Sequence, residues 1–551
     1  MKRILALVLF TAMLLSSAAA VAENNWMEPY PETVTVTFGR YGSESDPLFP
    51  EGESMDNSVY TKWIKDTFNI AFETAWLIPN AADHNTKLAL DMVSGSLPDI
   101  FMVRDKNQLR QMIEGGMLAD LTGAIENSSS DMVKEIYESY GGADKLFTAN
   151  MRDEEGKIYA FPYTAPGYEF MLTWIRQDWL DKLGLATPAS FAELEAAAKA
   201  FVDNKMAGDA TVGVEIDSGI TDGYAFLGSV GPWCHNYGAY PSNWYIDEAT
   251  GKYVYGSVQP QMKDALAYMA KLYQEGVIDY EFATKDWTGS ISNGNAGILF
   301  GAWWIGAWPL SNVKANDPEA EWVPLWIKSD NGEYNTYKPD IESESIYWVV
   351  SSKCEHPEVL IKMVNLAAEQ QNLTGIAQYD PYPKNIPVEI DTHYSDIGYK
   401  FDFQAWPICA KVRYYDQLLR LEPVWTDLVN QVKEGKEIPK FATESFDGEK
   451  IVAYMNGEDK SGMGLHVYTK TLSLQLIAAN KDSLVEKEIY VPAVTPTMEM
   501  AWSNLRDMEK QVFTKIIMGQ EPLDSFDTFV KNWSAQGGDM ITDEVNEAAG
   551  K

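Results

Sequence analysis

"TVTVTF", Thr33 to Phe38, alternates β-branched and apolar residues at the period of two that marks a strand, and "GRYGSES", Gly39 to Ser45, then breaks it. Two more short apolar runs follow, "TAWLI" (Thr74 to Ile78) and "DIFMV" (Asp99 to Val103). Between them lie two stretches at helical spacing, "VYTKWIKDTF" and "NTKLALDMVSG". Strand, helix, strand, helix, strand is the order of a parallel sheet in an α/β fold. Ligands of such sheets sit beyond the carboxyl ends of the strands. That places Arg40 and Tyr41, after the first strand, and Arg104 and Asp105, after the third, as candidate ligand contacts.

The pattern restarts near Trp174, where a second lobe is expected. "TPASFAELEAAAKAFVDN" opens a helix with Pro188 and a capping box of Ser190 and Glu193, and sets Phe191, Leu194, Ala198 and Phe201 near one face. "HPEVLIKMVNLAAE" is a further helix with Pro357 in its first turn, preceded by the strand candidate "SIYWVVS" (Ser345 to Ser351). From Gln370 to about Ser483 turn clusters alternate with short helices. Two amphipathic helices end the chain, "TMEMAWSNLRDMEKQVFTKIIMG" and "LDSFDTFVKNWSAQGG", closed by Gly519 and by Gly537-Gly538.

The first 22 residues carry Lys2 and Arg3, an apolar run from Ile4 to Leu15, and small residues ending Ala20-Val21-Ala22. This is the composition of a secretory signal peptide, with cleavage expected after Ala22 and a soluble mature chain outside the cytoplasm. A hydrophobic content of 46% with 23% charged residues is that of a globular protein able to bury a large core. The formal net charge of −36 repels nucleic acid and anionic membrane surfaces and disfavours a polyanionic ligand unless a local basic pocket overrides it. Cys234, Cys354 and Cys409 allow at most one internal disulfide. None lies near the expected cleavage site, so the usual acceptor for a lipid anchor is missing.

Inspection finds no G-x-S-x-G elbow, phosphate loop, H-E-x-x-H, C-x-x-C or dinucleotide glycine fingerprint. His84, His235, His356, His393 and His466 stand singly and read as structural or surface residues. Glu342 and Glu344 would share a face of an extended "DIESES". Such a pair could serve a glycosidase, or accept hydrogen bonds from sugar hydroxyls. The chain is rich in tryptophan, and "LFGAWWIGAW", Leu299 to Trp308, packs three into ten residues. Neither a helix nor a strand buries Trp303, Trp304 and Trp308 in one place. At least one is therefore available as a flat platform for the C–H face of a sugar ring. Trp233, Trp406, Trp174, Trp244 and Tyr163 admit the same reading.

"SGSLPDIFMV", "GGMLADLTGAIE", "GKIYAFPY", "WIRQDWLDKLGLATPASFAELEAAAKAF", "EGVIDYEFA", "NAGILFGAWW" and "HPEVLIKMVN" occur in an order that resembles the extracellular solute-binding proteins, family 1, of bacterial ABC importers. The closing run from Thr495 to Asn546 resembles the large carbohydrate-binding lipoprotein subgroup. The resemblance implies a two-lobed α/β flytrap fold with discontinuous lobes. It divides the chain into a leader (1–22), a first lobe (23–165), a second lobe (166–340), a return to the first (341–400) and a mixed, mainly second-lobe segment (401–551). "FPYTAPGYEFML" and "TYKPDIESES" would be the two crossings. "LFGAWW" resembles the segment in which the family's maltose-binding member carries a stacking Trp, here Trp303.

The function implied is capture of an oligosaccharide between the lobes, with hinge closure and delivery to ABC permease transmembrane subunits. The protein would work as a monomer, without catalysis, cofactor or nucleic acid. Arg, Asp, Glu and Asn side chains, Asn236 among them, would read hydroxyls. A secreted glycan-cleaving enzyme and a peptide or other solute receptor are the alternatives. Many family members carry a calcium loop after the helix matching Phe191 to Val202. Here "DNKMAGDATVG" keeps Asp203 and Gly208 but has Lys205 and Ala207 where oxygen ligands are needed, so no metal is expected.

Overall fold

A computed structural model of the chain describes residues 26–551 apart from 43–48, 170, 221–226, 285–286, 307–308, 330, 339, 343–344, 375–377, 392, 397–404, 437–453, 455, 459–461 and 493. The leader thus lies outside the described residues. The chain forms two compact units. Unit 1 is Met1–Pro162, Ile346–Gln371 and Asn385–Val412; unit 2 is Tyr163–Ser345, Asn372–Lys384 and Arg413–Lys551.

In unit 1 the first strand, β1, runs from Val34 to Tyr41, through the residues that the sequence pattern assigned to a break. Its register against β2 (Ile70–Ile78) slips between Phe38 and Gly39, so that Gly39 faces Trp76. A Cβ on Gly39 would lie 2.4 Å from the Trp76 indole. Lacking one, the backbone passes against the ring and the strand continues. β3 (Ile100–Val103) flanks β1 on the other side, also parallel. The strand Tyr347–Val350 then adds antiparallel between β3 and β4 (Ala160–Pro162). The sheet is therefore mixed rather than all parallel, because Tyr347–Val350, reaching it from a distant part of the chain, runs against its neighbour on either side.

Local signals fix the helices of this unit. Val59–Phe68 starts at Ser58, which exchanges side-chain and backbone bonds with Thr61, and ends at Asn69 with φ of 59°. The helix expected from Asn85 begins earlier, at Ala81, because the Asn80 side chain accepts from the amides of Ala82 and Asp83. Val36, Phe38, Ile64, Phe68, Phe101 and Val349 are buried between these helices and the sheet.

Unit 2 has two sheets. In the first, β5 (Met171–Arg176) lies antiparallel between the strands Ala296–Ala302 and Trp322–Leu325, and Val212–Glu215 adds parallel to Ala296–Ala302. The second sheet orders Tyr334–Lys338, Leu484–Tyr490, Trp244–Asp247 and Lys252–Tyr255. Phe191–Asp203 is the helix expected, with Ser190 accepting from the Glu193 amide and Glu193 from the Ala189 amide.

Two corrections concern the later chain. Between Gln370 and Ser483 it forms long helices, Gln417–Lys433 and Gly462–Asn480, not only short ones. The first holds Pro423 in its interior, and the second spreads its apolar residues around the helix, so neither gave a clean stripe. The last helix does not stop at Gly537-Gly538. Gly537, at φ of 117°, kinks the backbone and a further helix, Asp539–Ala548, follows. Glu509, fully buried on Pro496–Ile517, accepts from the Tyr255 and Ser257 hydroxyls and from Arg506. This fastens the terminal helices to the second sheet. Cys234, Cys354 and Cys409 are free thiols. No helix among the described residues is long and apolar enough to cross a membrane.

Candidate functional site

In unit 1 the candidates gather at the carboxyl ends of the parallel strands. Tyr41 ends β1 and is 38% exposed. Arg104 directly follows β3, and its guanidinium carbon stands 4.5 Å from the centre of the Tyr41 ring. The structure thus brings together two residues that lie far apart in sequence.

Their sequence neighbours go elsewhere. Strand alternation turns Arg40 away from Tyr41. Arg40 is 5% exposed and donates to Cys409 Sγ at 2.8 Å. Asp105 caps the helix Lys106–Glu114, its Oδ1 accepting from the amides of Asn107 (2.8 Å) and Gln108 (3.0 Å). Both side chains are thus engaged within unit 1. Beside this edge lie Trp76, which the sequence did not single out, and His84, which it read as a structural or surface residue. Trp76 donates its indole N–H to Asp91 Oδ2 at 3.1 Å, and His84 sets its ring edge-on to Trp76 at 5.2 Å. Burial above all pushes the His84 imidazole below its ordinary pKa, and the charge of Arg104 adds to this. His84 is accordingly neutral.

Trp406, also in unit 1, is 5% exposed and stacked on Tyr60 with ring centres 4.3 Å apart. It is core. In unit 2 Trp233 is likewise buried, 2% exposed, its ring roughly perpendicular to those of Phe300 and Tyr268 with centres 5.2 Å and 5.9 Å away.

Trp303 and Trp304 follow the strand Ala296–Ala302 in a turn, and both are half-buried. Lys470 Nζ stands 5.8 Å from the Trp303 ring centre. The Trp303 indole N–H is buried and has no hydrogen-bond partner. Trp348 and Trp406 share that state while fully packed, so what marks Trp303 is its half-buried ring. Lys470 comes from the segment between Gln370 and Ser483 whose helices were not legible, and no sequence signal pointed to it. Tyr163 is buried and Asn236 half-buried at the end of the helix Gly231–Asn236. Glu342 is 4% exposed. Its partner in the proposed carboxylate pair, Glu344, and Trp308 lie outside the described residues.

A cavity of about 10 Å³ within unit 2 is lined by Ser229, His235, Tyr334 and Tyr337 among others. It is too small for a pyranose ring. The segment after Phe191–Asp203 does not fit a calcium ion. Lys205, at φ of 50°, places its ammonium 2.6 Å from Asp209 Oδ1. The Ala207 amide donates to Thr211 Oγ1. Among the described residues no group of three or more His, Cys, Asp or Glu side chains is placed to hold a metal.

Comparison with known proteins adds identity to this geometry. Residues 79–372 match the family of the bacterial extracellular solute-binding protein. The chain is 26% identical over 259 residues to the polygalacturonan/rhamnogalacturonan-binding protein YtcQ of Bacillus subtilis, covering 46% of this chain and 48% of that one. It is 24% identical over 340 residues to the fructooligosaccharide ABC transporter substrate-binding protein FusA of Streptococcus pneumoniae, covering 58% and 60%. The match thus spans about half the length of the first of these curated relatives. Among solved structures, an extracellular solute-binding protein from Bifidobacterium longum subsp. infantis superposes with a TM-score of 0.63 at 15% identity, over 94% of this chain and 97% of that one. The alginate-binding protein AlgQ2 without calcium ion gives 0.59 at 15%, over 95% and 99%. The chain belongs to the bacterial extracellular solute-binding protein family and has the two-domain α/β fold of the periplasmic solute-binding proteins.

Proposed function

We propose that the protein captures an oligosaccharide outside the cytoplasm and delivers it, unchanged, to the transmembrane subunits of an ABC importer. The observation that carries this reading is membership of the solute-binding family together with relatives named for binding polygalacturonan and fructooligosaccharide. The chemistry of the candidate residues supports it. Tyr41 and Trp303 offer aromatic surface to the C–H side of a sugar ring. Arg104, Lys470, Asn236, Tyr163 and Glu342 supply polar groups, with Trp304 beside Trp303. The leader Met1–Ala22 is read as removed on export, and the mature chain as a monomer that does no catalysis.

Thermal unfolding of the exported chain against neutral and acidic oligosaccharides and short peptides tests this. A ligand at about a hundred times its dissociation constant stabilises the native state by about 2.7 kcal/mol, which raises the melting temperature visibly. A shift with a glycan and no shortened product is the expected result. Shortened products would replace the receptor by a glycan-cleaving enzyme, and a shift with peptides alone would replace the sugar.

A further inference from the structure

Every arginine among the described residues except Arg104 donates a hydrogen bond or joins an ion pair. Arg176 binds Asp178 and Asp317, Arg506 binds Glu509, Arg420 binds Asp416, Arg413 pairs with Glu169, and Arg110 and Arg152 donate to backbone carbonyls. Arg40 donates to Cys409. Arg104 alone among them is held only by the face of an aromatic ring, that of Tyr41. The chain carries 80 acidic residues against 44 basic ones, so carboxylate partners are in excess, yet none of the described ones pairs with this guanidinium. The nearest in sequence, Asp105, is engaged with the first amides of its helix.

A guanidinium braced on an aromatic face keeps the donors of its edge in a fixed fork, and that fork matches a carboxylate bidentately. The location suits a ligand, at the carboxyl ends of parallel strands and beside an exposed tyrosine. The net negative charge of the whole chain works against an anionic ligand at long range. At physiological salt it is screened over about 8 Å, so the nearest unpaired charge decides.

We propose that Arg104, braced on Tyr41, recognises a carboxylate of the ligand, so that the oligosaccharide taken by this protein contains uronic acid units. The inference rests on the receptor reading above and narrows its substrate class.

The test is calorimetric titration of the exported chain with galacturonate and mannuronate oligomers and with the same oligomers after reduction of their carboxyl groups. The intact protein is expected to bind at least one acidic oligomer about tenfold or more tightly than its reduced counterpart, with the preference shrinking as salt is raised. Arg104→Gln is expected to abolish the preference, so that the acidic oligomer binds no more tightly than its reduced counterpart, while the melting temperature of the free protein stays nearly unchanged. Arg104→Lys, which keeps the charge but not the fork, is expected to retain part of it and serves if the glutamine variant does not fold. Equal affinity for acidic and reduced oligomers, or a preference that survives in Arg104→Gln, overturns the inference and leaves the sugar receptor standing. Binding to no glycan, acidic or neutral, overturns both.

Discussion

The Lys470 ammonium lies 5.8 Å from the centre of the Trp303 ring and 5.4 Å from that of Trp425, so one cation is shared between two indoles of unit 2. Trp303 is only half-buried, which leaves part of its ring for another molecule. Replacing it with Ala is expected to remove about 1.5–3 kcal/mol of apolar burial from a sugar complex, roughly ten- to a hundredfold in affinity. Titration and calorimetric melting of the same variant separate two roles. Weak binding with a melting temperature lowered by only a few degrees assigns the ring to the ligand, whereas unchanged affinity with a large loss of stability assigns it to the core.

Gly39 and Trp76 make a prediction about stability alone. A methyl group at Gly39 would fall 2.4 Å from the indole, and the ring is anchored by its bond to Asp91. Gly39→Ala is expected to destabilise unit 1 by about 1–3 kcal/mol, the usual cost of overpacking. Denaturant unfolding with no change in midpoint would mean that the ring is free to move aside.

Glu509 has no exposed side-chain surface and is satisfied by Tyr255, Ser257 and Arg506. Removing it leaves a guanidinium and two hydroxyls without their shared acceptor. Glu509→Ala is expected to cost about 3–5 kcal/mol in urea unfolding, while Glu509→Gln, which keeps an acceptor oxygen, costs less. Equal, small losses in the two variants would count against this anchoring of the terminal helices.

His235 ties stability to pH. Burial pushes its imidazole down from the ordinary value near 6.5 to about 3, and its ring stacks on Tyr240 at 4.9 Å. The folded state therefore binds fewer protons than the unfolded chain between these values. Its contribution is complete above about pH 6.5 and is lost progressively as pH falls toward 3, by up to about 1.4 kcal/mol per unit for one proton. His84, depressed in the same direction, adds to this loss. Urea unfolding of the wild type and of His235→Phe at pH 7, 6 and 5 should show the variant losing less stability on acidification. Parallel pH dependences would refute the assignment.

Calcium is expected to have no effect on melting. The ion pair of Lys205 with Asp209 occupies the stretch where a cation loop would stand, and Ala207 offers no side-chain oxygen. Scans with calcium chloride and with a chelator should coincide; a rise of several degrees with calcium would show binding through other oxygens.

The helices with strong caps were legible in the sequence. Val59–Phe68 and Phe191–Asp203 carry their start signals within four residues, so local chemistry was enough to place them. Gly462–Asn480 was not legible, because an apolar surface spread around a helix shows no period until neighbours cover it. The end of β1 was misread for a related reason. A glycine followed by Arg and Tyr looks like a turn, and only the indole of Trp76, packed from the adjacent strand, makes Gly39 a strand residue.

For the site the division is sharper. By itself the sequence determined the family, through ordered motifs that span the chain, and the residue types that could meet a sugar. Tertiary structure decided how far each of those residues is buried and what packs against it. Trp233, Trp303 and Trp406 are the same side chain in three environments. Trp233 and Trp406 are buried against Phe300 and Tyr60, and Trp303 stays half-buried in a turn. Arg40 and Arg104 divide in the same way. One is buried against Cys409 and the other lies on Tyr41 with its hydrogen-bonding edge unpaired. A side chain's availability depends on what packs against it, and those partners come from elements tens to hundreds of residues away.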